Sequence, residues 1–318
     1  MQHKSPLVGV GACLVGKPVR FNGDHKRRNS HIEKLAEHCE LKPFCPEVGI
    51  GLGVPREPIR IVDDGITLTL RDSNTQTRDY SEAIQAYAQA LLQQNSGMCG
   101  YVLVKGSPSC GLERVKRYNK QGQVIAADTG GMFTRELLRL DSLLPVEEDG
   151  RLYDHGLRES FVSRVFLYHD WKQLQGESLT AKNLVDFYSR YKYLVMAHSV
   201  AHYQQIGRLL SDLKNADLRI TAQTLITLLM SALKKVATVK GHVNVMQHLQ
   251  GYLKNQLSPN QKQELGAVIK DYHRGIVPLI TPMTLLQHHF NRNPNAYIAK
   301  QRFMQPYPNE LALRSFII

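Results

Sequence analysis

Three short apolar runs in the first half of the chain each lead into a Gly- or Pro-rich loop that carries a cysteine. LVGVGA (7–12) precedes Cys13, LKPF (41–44) precedes Cys45, and YVLVKG (101–106) precedes Cys110. Between the runs lie stretches of helical spacing. Asn29–Glu40 places Ile32, Leu35, Ala36 and Cys39 on one stripe. Residues 80–95 turn Ala83, Ile84, Tyr87, Leu91 and Leu92 inward, with Ser81 as the expected N-cap, and 131–140 supplies a further helix. IRIVDDGITLTL (59–70) reads as a hairpin around Asp-Asp-Gly. Strands alternating with helices imply a mostly parallel sheet with right-handed crossovers. In an open parallel sheet the carboxyl ends of the strands share one edge, where ligands bind. Cysteines 45 − 13 = 32 and 110 − 45 = 65 residues apart are thereby gathered together.

The second half has a different pattern. Leu144–Asp154 is rich in Pro, Gly and acids and reads as a linker, giving domains at 1–147 and 154–318. Beyond it Leu184, Phe187, Tyr188, Tyr191, Leu194 and Val195 recur at helical spacing. So do Leu225, Leu228, Leu229, Leu233 and Val236, then Leu249, Tyr252, Leu253 and Leu257. Pro278 and Pro282 bracket a break before a short helix at 283–290. The expected fold class is an α/β N-terminal domain with a mostly parallel sheet, followed by an all-α C-terminal domain. Charge follows the same division: 19 − 18 = +1 over residues 1–150, but 21 − 10 = +11 over 151–318.

All five cysteines lie in the first half, and no secretory h-region or apolar stretch of membrane-spanning length occurs. An odd number of thiols without an export signal points to reduced cysteines in the cytoplasm, with no disulfide framework and no membrane. Cys39 on a helix stripe and Cys99 before a buried strand read as packing residues. For Cys13, Cys45 and Cys110 the pattern leaves three readings open. Three thiolates without a fourth suit an iron–sulfur cluster with one open iron. Zinc is also served by thiolates, although no C-x-x-C knuckle is present. Buried small hydrophobes are the third reading.

CLVGKPVRFNGDHKR, PFCPEVGIGLGVPREPIRIV and VKGSPSCG resemble the three signature stretches of the thiouracil desulfurase (TudS-like) family, in the right order across residues 5–145. SRYKYLVMAHSVAHYQQIGRLL, PLITPMTLLQHH and QPYPNELALR resemble the YbgA-like domain, which also occurs fused behind a desulfurase domain. The resemblance implies a 4Fe-4S cluster held by Cys13, Cys45 and Cys110, whose open iron takes the sulfur of a thiolated uracil base or nucleotide. The implied chemistry is non-redox, C=S to C=O with release of hydrosulfide.

Glu47, in Cys-Pro-Glu, is the natural general base, and Ser107, in Ser-Pro-Ser-Cys, a hydrogen-bond donor or proton relay; both also match the family's catalytic positions. Arg20 and Arg56 lie inside the motifs, where an arginine fork suits a nucleotide phosphate. Lys26–Arg28 reads as a solvated charge run, and Arg60 stands beside the motifs. In the basic half, His198 and His202 share one helix face, and Tyr188, Tyr191 and Tyr193 offer base stacking, although spacing already explains them as packing. The alternative function is therefore a nucleic-acid-binding protein that acts on or senses thiolated tRNA, with RNA on the basic half and a structural cluster.

Overall fold

The computed structural model describes residues 5–26, 29–176, 179–213 and 215–316. It divides into two compact units, Met1–Asp154 and His155–Ile318.

The first unit contains eight strands: β1 Leu7–Gly11, β2 Glu40–Phe44, β3 Ile59–Asp63, β4 Leu68–Asp72, β5 Met98–Leu103, β6 Val115–Tyr118, β7 Val124–Thr129 and β8 Val146–Glu148. Its helices are α1 Ser30–Ala36, α2 Pro46–Gly49, α3 Ser81–Gln94 and α4 Met132–Leu140. One sheet has the order β2-β1-β5-β8 and is parallel at every pairing. The apolar run of β5 is buried along its whole length, as expected of a central strand covered on both faces. The second sheet, β4-β3-β6-β7, consists of two antiparallel hairpins joined by a parallel β3–β6 pairing.

The expected hairpin is β3–β4, in which Asp64 Oδ1 accepts the N–H groups of Ile66 and Thr67 across the turn. The β6–β7 hairpin was not legible. Its strands are short and partly exposed, so they lack the apolar alternation that marks a strand. Helix α1 stops at Ala36, which puts Cys39 in the bend beyond it rather than on its stripe. Ser81 is not an N-cap: its Oγ accepts from Leu70 N–H and ties α3 to β4. Within α3 Ala88, rather than Ala83, is buried, and Cys99 lies inside β5 rather than before it.

The stretch read as a linker instead carries β8. Its two acids are buried because each has a partner: Glu147 pairs with Arg151, and Glu148 Oε1 accepts the Leu112 N–H at 2.9 Å. Acidity pointed to solvent, whereas position in the sheet decided burial.

The second unit is helical: α5 His155–Gln175, α6 Ala181–His198, α7 Val200–Ser211, α8 Leu218–Lys234, α9 Val239–Tyr252, α10 Pro259–His273 and α11 Ile280–Arg292. The expected stripes fall on α6, α8 and α9, except that Val236 lies past the end of α8 and is exposed, and Leu253 and Leu257 lie past the end of α9 yet are buried. Pro282 sits in the first turn of α11 rather than ahead of it, where a missing N–H costs nothing. None of the described helices is long and apolar enough to cross a membrane.

Candidate three-cysteine site

The carboxyl ends of β1, β2 and β5 open onto one edge of the parallel sheet, as the strand pattern requires. After β1 a single 3-10 turn, Ala12–Val15, carries Cys13 and closes at Gly16, whose φ of 88° suits only glycine. After β2, Cys45 is the residue at the head of α2, with Pro46 in the first turn. After β5 a turn brings Ser107, Pro108, Ser109 and Cys110 back to the same edge. The three cysteines, with Glu47, Arg20, Arg56 and Ser107, line one cavity of about 220 Å³.

Each of the three thiols is pushed above its ordinary pKa. Burial is the main cause for all of them. For Cys13 the charge of Cys45 adds to this, while Lys26 and Arg20 oppose it. For Cys45 the backbone N–H groups of Val48 and Glu47 and the nearby Arg56 oppose it, while Glu47's charge adds. Cys110 is raised furthest, by burial and then by Glu47, Cys45 and Cys13. Three thiolates facing one cavity are unfavourable without a cation, and a bound metal group reverses that balance while releasing protons.

Two further observations test the fit of an iron–sulfur cluster. Among the described residues, no three Cys, His, Asp or Glu side chains converge as the ligands of one ion must. A cubane spreads its irons, so its thiolates need only face a shared cavity, as these do. Tyr101, fully buried on β5, feels the charges of Cys110, Cys45 and Cys13, and its hydroxyl finds no hydrogen-bond acceptor among the described residues. An orphaned buried donor within electrostatic reach of the three thiols suits an acceptor-rich sulfide group. The residues fit the group.

Glu47 is held at both carboxylate oxygens. Oε2 accepts from Arg56 Nε at 2.9 Å and Nη2 at 2.6 Å, while Oε1 accepts from Ser109 Oγ at 2.5 Å. Arg56 also donates to the carbonyls of Val19 (2.9 Å) and Gly53 (3.2 Å). With five guanidinium donors and four such bonds, Arg56 orients Glu47 before it can offer a fork to a phosphate. Arg20 lines the cavity with its guanidinium 5.8 Å from the Phe21 ring. Ser107 Oγ accepts the Cys110 N–H at 3.1 Å and lies 3.2 Å from Ser109 Oγ.

Outside this cluster, Lys26 is half-buried, lines the cavity and pairs with Asp149 at 3.3 Å, so it is not part of a solvated run. Arg27 and Arg28 lie outside the described residues. Arg60 stacks over Tyr118 in the second sheet and is not among the cavity-lining residues. Cys39 and Cys99 are buried away from the cavity, and the Cys39 thiol is pushed up to about 12 by burial and by Cys99.

Sequence reasoning missed Ser109 and the Arg56–Glu47 pair. The second serine of Ser-Pro-Ser-Cys was the available signal. The ion pair had none, because loop geometry alone brings the two side chains together.

The helical unit does not place His198 and His202 on one helix face. Ser199 is extended, caps both α6 and α7, and separates them. His198 Nδ1 contacts the Lys235 carbonyl at 2.6 Å, and His202 contacts the hydroxyls of Ser199 and Ser231. Tyr188, Tyr191 and Tyr193 are buried and bonded to the Tyr203 carbonyl, Asp170 and Tyr252, so they pack rather than stack bases.

Comparison with known proteins assigns the two halves separately. A family model described as 2-thiouracil desulfurase matches residues 8–149. One described as a protein of unknown function (DUF1722) matches residues 192–308. The chain is 31% identical over 161 residues to "Uncharacterized protein YbgA" of Escherichia coli K12, covering 49% of this chain and 93% of that protein. It is 28% identical over 139 residues to "Uncharacterized protein YbbK" of Bacillus subtilis 168, covering 42% and 89%. Among solved structures, a [4Fe-4S]-dependent thiouracil desulfidase, TudS, is similar at 28% identity and a TM-score of 0.39. That match covers 49% of this chain and 99% of the other.

Proposed function

We propose that this chain, which belongs to the YbgA family and whose residues 8–149 match the family model described as 2-thiouracil desulfurase, removes sulfur from a thiolated uracil base or nucleotide. The balanced reaction is C=S plus water giving C=O plus hydrogen sulfide, with no electron transfer. Cys13, Cys45 and Cys110 would hold a 4Fe-4S cluster. When bound, it supplies a Lewis acid whose one iron without a protein thiolate can take the departing sulfur.

The residues of this chain do the proton and positioning work. Glu47 takes a proton from water as its oxygen adds to the thiocarbonyl carbon, then returns it as sulfur departs. Arg56 holds the carboxylate at Oε2, which fixes the direction from which Glu47 meets the substrate. Ser107, half-buried at the wall, keeps one lone pair with which to accept a hydrogen bond from a ring N–H, or passes a proton along Ser109 toward Glu47. Phe21 and Phe44 give the cavity apolar walls for a flat ring, and Arg20 supplies positive charge at its mouth. The observation that carries the reading is the meeting of three thiols, one carboxylate and one hydroxyl in a single cavity.

The test is anaerobic reconstitution with iron and sulfide, followed by 2-thiouracil, 4-thiouracil and 4-thiouridine monophosphate in separate reactions. Sulfide and the oxo product should appear in equal amounts with at least one substrate. Protein that carries the cluster and desulfurates none of the three contradicts the proposal.

A further inference from the structure

One hydroxyl at the site has no role in the chemistry above. Ser109 is 0% exposed, so it cannot meet substrate, yet it touches both proposed reactive groups. Its Oγ donates to Glu47 Oε1 at 2.5 Å and stands 3.2 Å from Ser107 Oγ. A serine has one hydroxyl proton, and the shorter contact to a carboxylate takes it. The Ser107–Ser109 contact must then be donated by Ser107, whose own oxygen already accepts the Cys110 N–H. The hydrogen-bond order is thereby fixed, from Cys110 N–H to Ser107, to Ser109, to Glu47.

The backbone of Ser109 is equally constrained. Its carbonyl accepts from the N–H groups of Phe133 (3.1 Å) and Thr134 (3.3 Å) in the first turn of α4, and the Pro108 carbonyl accepts from Met132 N–H at 2.9 Å. Gly131 passes so close that a Cβ there would stand 2.3 Å from the Ser109 oxygen. A buried hydroxyl on a clamped backbone, bonded to two cavity groups that lie 60 residues apart in sequence, is built to hold those groups in register. Arg56 fixes one oxygen of Glu47, and Ser109 fixes the other.

We propose that Ser109 is a positioning residue that sets the Glu47 carboxylate and the Ser107 hydroxyl in one fixed arrangement over the three-cysteine cavity. This rests on the desulfurase reading above. Without the hydroxyl, Glu47 Oε1 loses its donor, Ser107 its acceptor and the Cys110 thiol one polar contact, while the backbone that carries the three thiols stays clamped. The loss therefore falls on the chemical step rather than on substrate affinity.

The experiment compares wild type, Ser109→Ala, Ser109→Thr, Glu47→Gln and the Ser109→Ala/Glu47→Gln pair, all reconstituted as full chains. Iron content and visible absorption report the cluster, and sulfide release gives kcat and KM. Ser109→Ala should keep wild-type iron and absorption, lose about 10- to 100-fold in kcat and leave KM unchanged. Ser109→Thr, which retains the hydroxyl, should recover most of the rate. In the Glu47→Gln background the alanine should cost little more, because Ser109 acts through Glu47. A crystal structure of Ser109→Ala should show the Glu47 carboxylate turned away from Ser107.

Wild-type kinetics in Ser109→Ala, a loss confined to KM, or fully additive losses in the pair would each overturn the assignment. Should Ser109→Ala fail to fold, Ser109→Gly is measured instead, and failure of both replaces the positioning role with a purely structural one. A wild-type protein that holds the cluster yet releases no sulfide removes the desulfurase reading itself. That outcome is distinct from an active wild type indifferent to Ser109.

Discussion

At the residue scale, similar side chains take different tasks from their surroundings. Five cysteines lie in the first unit, but only Cys13, Cys45 and Cys110 line the cavity. Replacing any of the three by Ala should abolish the iron chromophore and sulfide release. Cys39→Ala and Cys99→Ala should keep both, with a modest loss of stability for the missing buried sulfur. Cluster loss in either of the last two, measured by iron content, contradicts the assignment. Arg56 makes a second contrast. A nucleotide-binding arginine should change KM for phosphorylated substrates alone, whereas one that orients Glu47 should lower kcat for base and nucleotide alike. Arg56→Lys replaces a fork by a point charge and should reduce kcat by about 10-fold or more on both 2-thiouracil and 4-thiouridine monophosphate. The cysteines were legible because a parallel sheet delivers its strand ends to one edge. The partner of Glu47 was not, because the end of α2 and a turning loop, eight residues in all, separate it from Arg56, and no periodicity describes such a loop.

At the element scale, β8 and the buried polar contacts of the helical unit set stability. Glu148, on the last strand of the parallel sheet, accepts the Leu112 N–H just after Cys110. Glu148→Ala should leave that half-buried donor unpaired, costing about 1 kcal/mol, and should speed loss of iron under chelator challenge. Unchanged urea midpoints would show that the loop finds another acceptor. In the second unit, burial pushes the His242 imidazole down to about 3, with Arg314 and His198 adding to the effect and Glu159 opposing it. Because the folded value lies below the ordinary one, the unfolded chain takes up the proton first. The stability contributed by neutral His242 is therefore complete above about 6.5 and lost progressively as pH falls toward 3. Burial alone would raise Glu159, but Arg314 and the Tyr307 hydroxyl outweigh this and hold it below its ordinary value, so it too loses stabilisation in acid. Trp171, the single tryptophan and buried on α5, reports this unit. Its unfolding temperature should fall steadily below pH 6.5, and His242→Gln should flatten the curve between 6.5 and 4. An equally steep curve in the variant would shift the effect to other groups.

At the scale of the whole molecule, the chain joins a nearly neutral cysteine-bearing unit to a basic helical one. If the net +11 of residues 151–318 serves contact with RNA, release of sulfide from thiolated tRNA should fall steeply between 50 and 200 mM salt. Release from free 4-thiouridine monophosphate should change little over the same range. Equal salt dependence for the two substrates would remove RNA from the role of that charge. What the sequence determined by itself was whatever depends on local periodicity and on the direction of strands. It set the α/β and all-α halves, the expected hairpin, and the convergence of three cysteines at one sheet edge. Only the tertiary structure decided which polar groups are buried and what each one touches: the Glu47–Arg56 pair, the Ser109 link, the acids of β8, and the break at Ser199 that parts His198 from His202. The physical reason is that hydrophobic patterning acts over a few residues along the chain and survives in the sequence. A buried hydrogen bond or ion pair depends on groups brought together through space, and its partner is specified only once the backbone has closed around it.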